Sequence, residues 1–139
     1  MLISNLAYPP PRDRDWLDLD SEASLSAVGG ENKFSVLTWN ILCHHYATEQ
    51  QFGYTPSDAL SWESRKQTIL NDLGTYDADF VCLQEVEHEN YDEYFRPELS
   101  RLGGYAGTFI SKTRSKTMGP KEAKAVDGCA IFFKRSKYV

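Results

Sequence analysis

The sequence has no long hydrophobic run, few cysteines and no excess of positive charge, and each of these absences excludes a class of protein. No apolar stretch approaches the length of about 20 residues that a membrane-spanning helix needs, and residues 1–7 lack the basic start of a signal peptide. The cysteines Cys43, Cys82 and Cys129 are far apart and form no CxxC or Cys/His zinc pattern. We therefore expect a soluble protein of a reducing compartment, in the cytoplasm and nucleus.

The charge balance argues against binding of nucleic acid through bulk positive charge. Acidic residues outnumber basic residues by 20 to 15, which gives a net charge of −5. A nuclease remains compatible with this balance, because a divalent cation reverses the local field of an acidic pocket. Cys82 and Cys129 lie in apolar runs, where cysteine usually behaves as a small buried hydrophobe, so we expect both to be buried.

The alternation of strand-like and helix-like segments predicts an α/β layered domain over residues 33–139. Residues 1–32 are predicted to be a Pro-rich, acidic linker without stable structure, because consecutive prolines disfavour both helix and sheet. Gly74 is expected to end the first helix, and Pro97 to kink or split the second. The predicted strands cover residues 34–39, 79–84, 105–110 and 128–134, the helices 61–73 and 91–102, and the long loops 41–59 and 111–126.

Two of the predicted strands are followed by a polar residue suited to a metal–phosphate site. Asn40 follows the first strand and Glu85 follows the second. The Glu85 carboxylate could ligate Mg²⁺, and the Asn40 amide could hydrogen-bond a phosphate oxygen. Glu87 and Glu89 are interpreted instead as solvated residues at the start of a helix.

Other polar groups have no assigned role from the sequence alone. His44 and His45 are adjacent and point in different directions, which makes them a poor pair of ligands, so a surface or loop-packing role is favoured. Asp127 precedes a strand and is left open between a simple turn and a functional group. The basic loop, Lys112 to Lys124, could contact a phosphate backbone, but a solvated loop is at least as good an interpretation.

The residues around these candidates resemble a known family. Segments 35–42 (SVLTWNIL) and 83–87 (LQEVE) resemble the first two motifs of the endonuclease/exonuclease/phosphatase superfamily, related to deoxyribonuclease I. Segments 46–48 (YAT) and 52–54 (FGY), with 109–116 (FISKTRSK) and 126–134 (VDGCAIFFK), resemble the carbon catabolite repressor type of poly(A) deadenylase. Nocturnin-like relatives are less similar over residues 46–56. The resemblance covers residues 33–139.

The resemblance implies a fold, an activity and a partner. The fold would be the layered α/β/β/α sandwich of the superfamily, of which this chain would form the N-terminal half. The activity would be magnesium-dependent 3′→5′ exoribonuclease action on poly(A) tails with release of AMP. Glu85 would bind Mg²⁺ and Asn40 would position the phosphate. The partners would be poly(A) RNA and the deadenylase–Not complex, the latter through leucine-rich repeats absent from this chain.

The chain also departs from the family pattern. The later Asp-x-Asn and Ser-Asp-His motifs are absent, and the sequence stops at Val139 directly after a predicted strand, as a cut chain would. We therefore expect the isolated chain not to hydrolyse RNA. Two alternatives stay open, namely a nocturnin-like or other phosphodiesterase or phosphatase of the superfamily, and a truncated non-catalytic protein that only binds RNA or protein.

Overall fold

Four strands form one mixed sheet in the computed structural model, which describes residues 34–138. The strands β1 (Val36–Asn40), β2 (Phe80–Glu87), β3 (Tyr105–Ser111) and β4 (Asp127–Lys134) lie in the order β1-β2-β4-β3. β1 and β2 are parallel, whereas β4 is antiparallel to both of its neighbours. The predicted order of strands and long helices is confirmed, and the linker predicted for residues 1–32 lies outside the described residues.

Short helical turns occupy the two stretches that were predicted to be long loops, so that prediction is wrong. Turns of three to five residues are too short to show the apolar periodicity by which helices are recognised in a sequence. Within residues 34–138, no helix is both long enough and apolar enough to cross a bilayer. The helices are α1 (Glu49–Phe52), α2 (Ser57–Leu60), α3 (Trp62–Tyr76), α4 (His88–Asn90), α5 (Arg96–Gly103) and α6 (Pro120–Lys124), with 3₁₀ turns at His44–Tyr46 and Thr113–Thr117.

Helix α3 does not end at Gly74, contrary to the sequence prediction. It continues to Tyr76, and Asp77 ends it in a left-handed conformation (φ 43°) with its N–H donated to the Leu73 carbonyl at 3.1 Å. A Cβ at Gly74 would lie only 3.1 Å from Leu102 Cδ2. The glycine therefore serves a close approach to a neighbouring side chain and does not terminate the helix.

The irregularity in the second helical region lies before Pro97, so the prediction of a kink or split at Pro97 is not confirmed. A π-helical turn over Tyr91–Phe95 separates α4 from α5. Pro97 lies in the first turn of α5, and the preceding Phe95 and Arg96 keep α-helical backbone angles, so the helical path continues past the proline. Gly104 then ends α5 in the left-handed region, with φ 64°.

The hydrophobic core lies between one face of the sheet and the helices α3 and α5. Side chains alternate between the two faces of each strand, so each strand contributes every second residue to this core. The core includes Ile69, Leu73, Val81, Leu83, Phe95, Leu99, Ala130 and Phe132.

The opposite face of the sheet is not covered by any element within the described part of the chain. Phe34, Val36 and Ile131 are exposed there or at its edge, so the prediction that 34–39 is a buried strand is wrong. Cys129 is also exposed and Cys82 is half-buried, which corrects the prediction that both are buried. The sequence shows that these strands are apolar, but only the alternation of side chains across the sheet shows which residues lack a cover.

Candidate metal and phosphate site

The structure brings the two predicted site residues, Asn40 and Glu85, into direct contact. Asn40 lies opposite Gln84 in the parallel pairing of β1 with β2, so Glu85 follows directly at the same edge of the sheet. Asn40 Nδ2 donates a hydrogen bond to Glu85 Oε1 at 2.7 Å. The backbone N–H of Cys43 donates to the other Glu85 oxygen at 3.1 Å, and that of Leu42 donates to Asn40 Oδ1 at 3.0 Å.

A β-bulge directs the Glu85 side chain to this position. The register of β2 with β4 shifts between Gln84 and Val86, and Glu85 takes a left-handed backbone conformation with φ 59°. A bulge adds one residue to a strand and re-aims its side chain, and such irregularities are common beside functional sites. A left-handed conformation is costly for any residue other than glycine, so surrounding contacts must hold it.

The donor set at Glu85 fits a hard divalent cation. Each carboxylate oxygen accepts one hydrogen bond from the protein and keeps further lone-pair capacity for a metal. Oxygen ligands are those that Mg²⁺ prefers. The Asn40 amide has a second N–H available for a phosphate oxygen, since Nδ2 carries two donors.

Glu87 is buried, which contradicts the prediction of a solvated residue. Its Oε1 accepts hydrogen bonds from Cys43 Sγ at 3.1 Å, from the His45 backbone N–H at 3.3 Å and lies 2.8 Å from His45 Nδ1. Asn90 Nδ2 donates to the other oxygen at 3.3 Å. Because β2 extends to Glu87, its side chain lies against the 3₁₀ turn and not in solvent, whereas Glu89 is exposed as predicted.

The Cys43–His45–Glu87 cluster is chemically unlike the Glu85 pair. Its sulfur, nitrogen and oxygen ligand atoms lie within 4.8 Å of one another. Burial and the hydrogen bond to Glu87 raise the pKa of the Cys43 thiol to about 12, so the sulfur is protonated at neutral pH. Burial raises the pKa of Glu87, but the hydrogen bonds from His45 and Cys43 outweigh it and lower the pKa overall. A mixed S/N/O donor set suits zinc better than Mg²⁺, whereas the oxygen ligands of Glu85 are of the type that Mg²⁺ prefers.

Asp127, which the sequence left open, is a fully buried carboxylate and not a simple turn residue. Tyr46 donates its hydroxyl to Oδ1 at 3.1 Å, and Arg114 Nη2 donates to the same oxygen at 2.9 Å. Lys112 Nζ lies 2.6 Å from Oδ2. The two cations nearest the start of the basic loop are therefore both paired with one buried acid, while Lys116, Lys121 and Lys124 are exposed.

Sequence reasoning missed three polar residues that support this site, Cys43, Glu87 and Arg65. Arg65 donates from Nη1 to the carbonyls of Ile41 and Leu42, at 2.9 and 2.8 Å. A charged residue on a helix is usually solvated, and nothing in its immediate sequence distinguishes Arg65 from its neighbour Lys66. The signal is the contact itself, which joins residues more than twenty positions apart.

Comparison with known proteins assigns the chain to a family. Residues 37–138 match the model of the endonuclease/exonuclease/phosphatase family, and the mixed sheet with flanking helices has that fold, so the chain belongs to this family. Human nocturnin's catalytic domain is 36% identical with a TM-score of 0.54, over 74% of this chain and 33% of that one. ANGEL2, a 2′,3′-cyclic phosphatase, is 34% identical with a TM-score of 0.59, over 74% of this chain and 27% of that one.

Curated relatives confirm the resemblance to the carbon catabolite repressor nucleases. The chain is 51% identical over 131 residues to the CCR4-Not complex 3′-5′-exoribonuclease subunit Ccr4 of Coccidioides immitis, covering 94% of this chain and 17% of the relative. It is 44% identical over 152 residues to the subunit of the same name from Schizosaccharomyces pombe, covering 94% and 22%. The chain thus spans about a fifth of the length of these relatives.

Proposed function

We propose that the protein containing this chain is a magnesium-dependent 3′→5′ exoribonuclease that shortens poly(A) tails and releases AMP. The observation that carries the proposal is the hydrogen bond between Asn40, which ends β1, and Glu85, which lies at the bulge of the neighbouring parallel strand β2. It occurs in a chain 51% identical to a protein named as a 3′-5′-exoribonuclease subunit. A carboxylate suits a divalent cation, and an amide donor beside it suits an oxygen of a phosphate bound to that cation.

Each residue of the pair has a separate role in this proposal. Glu85 is the metal ligand, and a bound Mg²⁺ would stabilise the negative charge that develops on the phosphate during cleavage. Asn40 holds the Glu85 carboxylate through one N–H and donates its second N–H to a phosphate oxygen. Cys43 fixes the other carboxylate oxygen through its backbone N–H. The remaining catalytic groups are assigned to the part of the protein that corresponds to the rest of the relatives' length.

The partners and the compartment follow the names of the relatives. Those relatives are named as subunits of the CCR4-Not complex. We propose that this protein also assembles with that complex, through leucine-rich repeats outside this chain, and that poly(A) RNA is its substrate. Action on messenger RNA would place it in the cytoplasm and nucleus.

The test is a trimming assay on the full-length protein with 5′-labelled RNA that ends in a run of adenosines. We expect a Mg²⁺-dependent ladder of shortened RNA with AMP as product, abolished by chelation. Glu85→Gln should reduce the rate at least about 100-fold, since even residues behind a metal ligand cost 10–100-fold when replaced. Glu89→Gln is the matched control, because this nearby acid is exposed.

Three outcomes would contradict the proposal. They are a Glu85→Gln rate within twofold of the wild type, activity that survives chelation, and equal trimming of tails without adenosine. The 139-residue chain assayed alone should show no trimming, because the later family motifs are absent from it.

The similarity to ANGEL2 favours a second candidate, a phosphatase acting on the end of RNA. ANGEL2 is described as a 2′,3′-cyclic phosphatase and shares 34% identity with this chain. An RNA ending in a 2′,3′-cyclic phosphate separates the two candidates. Loss of the terminal phosphate with no release of AMP would favour this alternative over the exoribonuclease.

A further inference from the structure

Arg65 is a half-buried cation whose hydrogen bonds go to backbone carbonyls. Its Nη1 donates to the carbonyls of Ile41 and Leu42 at 2.9 and 2.8 Å, and its Nε donates to that of Leu60 at 3.2 Å. Its Nη2 is buried and has no hydrogen-bond partner within the described residues. Burial lowers the pKa of this guanidinium, which shows that the charged form is held at a cost.

The two carbonyls held by Nη1 belong to the two peptide units that orient the site. A peptide unit is planar, so the direction of its carbonyl determines the direction of the N–H in the same plane. The Ile41 carbonyl shares its unit with the Leu42 N–H, which donates to Asn40 Oδ1 at 3.0 Å. The Leu42 carbonyl shares its unit with the Cys43 N–H, which donates to Glu85 Oε2 at 3.1 Å. A single nitrogen, Arg65 Nη1, therefore binds the carbonyl oxygens of both peptide units whose N–H groups donate to Asn40 and Glu85.

The backbone at this point would not keep its conformation without external contacts. Leu42 has φ 57°, in the left-handed region that is unfavourable for a residue with a side chain. Such a conformation persists where neighbouring contacts over-determine it. The Arg65 bonds to the carbonyls on either side of the Leu42 α-carbon supply contacts of this kind.

We infer that Arg65 is a positioning residue for the Asn40–Glu85 pair, acting through the peptide units between Ile41 and Cys43. The guanidinium orients these units and, as a cation at their carbonyls, polarises them so that their N–H groups donate more strongly. Asn40 is then held with Nδ2 towards Glu85, and Glu85 is held with its free lone pairs outward. The role in catalysis rests on the proposed function, whereas the role in orienting the two amides does not.

The first experiment measures the orientation without RNA or metal, by residue-resolved amide hydrogen exchange on the full-length protein. Arg65→Lys keeps the charge but loses the planar fork of donors. We expect exchange of the Leu42 and Cys43 amides to become at least tenfold faster, with little change in the β2 amides. Arg65→Met tests removal of the charge, and Arg65→Lys keeps the question answerable if the methionine variant does not fold. Unchanged exchange at both amides in Arg65→Lys would overturn the inference.

The second experiment measures the consequence for the site in the full-length protein. We expect Arg65→Lys to raise the Mg²⁺ concentration needed for half-maximal poly(A) trimming about tenfold, as replacement of groups behind metal ligands does. Arg101→Met is the matched control, because this exposed arginine pairs with Glu98 on the surface of α5, away from the Asn40–Glu85 pair. A merely structural role would lower the melting temperature of Arg65→Lys and leave its Mg²⁺ dependence equal to that of the wild type, which would overturn the inference.

A double variant measures the energetic coupling between Arg65 and Asn40. If Arg65 acts through Asn40, then Arg65→Lys should cost much less in an Asn40→Ala background than in the wild type. Additive losses would overturn this coupling. A wild-type protein that does not trim poly(A) would refute the proposed function alone, because amide exchange would still decide the role of Arg65.

Discussion

Glu85 has a backbone conformation that suits glycine, and this predicts a reversal of the usual order of stability between two substitutions. With φ 59°, Glu85 lies in the left-handed region. Glu85→Gly and Glu85→Ala both remove the carboxylate together with its bonds to Asn40 and Cys43. The difference in unfolding free energy between the two variants therefore reports the cost of the left-handed backbone at this position.

The expected magnitude follows from two opposing contributions. A left-handed conformation costs a residue with a Cβ roughly 1–2 kcal/mol. Glycine loses about 0.4–1 kcal/mol more than alanine through the greater freedom of its unfolded chain. The glycine variant should therefore be the more stable by roughly 0.5–1 kcal/mol, whereas in an ordinary strand alanine is favoured by about the same amount.

Urea or thermal unfolding of the two variants checks this prediction. The expected difference corresponds to a melting temperature about 2–8 °C higher for Glu85→Gly than for Glu85→Ala. Thr108, an exposed residue of β3 with ordinary strand geometry, is the control, and there the alanine variant should be the more stable. If alanine were favoured at Glu85 as strongly as at Thr108, the interpretation of this bulge as a strained functional position would be wrong.

Two further predictions concern buried acids outside the proposed metal site. Asp127→Asn should destabilise the chain by about 2–3 kcal/mol, below the usual cost of breaking a buried pair because the two cations that face it are half-exposed. A loss as small as that of Asp92→Asn, a half-exposed acid that pairs with His88 and Arg96, would contradict this. Hydrogen bonds from Lys137 and Ser35 lower the pKa of Asp79 below its ordinary 3.8, so its contribution to stability is present above that pH and is lost as the pH falls below it. Asp79→Asn should weaken the fall in unfolding free energy as the pH is lowered into the acid range. An equal dependence on pH in the variant and the wild type would refute this.

The Asn40–Glu85 pair was predictable because it depends on a simple rule of sheet geometry. Two strands separated by a helix run parallel, so their carboxyl ends meet at one edge of the sheet. A polar residue at each end is therefore brought together without any knowledge of the loops. The hydrogen bond between Asn40 and Glu85 is the direct consequence.

Glu87 was misinterpreted because the sequence contains nothing that separates it from its neighbours. Glu87 and Glu89 are alternating acids that follow Glu85 after an apolar strand, and in the sequence the two look equally solvated. The structure separates them by the bulge at Glu85 and by the turn that contains Cys43 and His45, which covers Glu87. These contacts join residues 42 to 44 positions apart, beyond the reach of any local pattern.

The sequence by itself determined the order of strands and long helices, the family, and the proximity of Asn40 and Glu85, although β2 runs two residues beyond Glu85. The first two follow from apolar periodicity and from motifs, which are local patterns. The third follows from the parallel crossover, which is a general rule of sheet topology. Only the tertiary structure decided that Asp127 is buried, that Cys129 is exposed and that Arg65 holds the loop beside the site. The physical reason is that burial and backbone hydrogen bonding depend on which distant segments cover a residue, and this is set by packing.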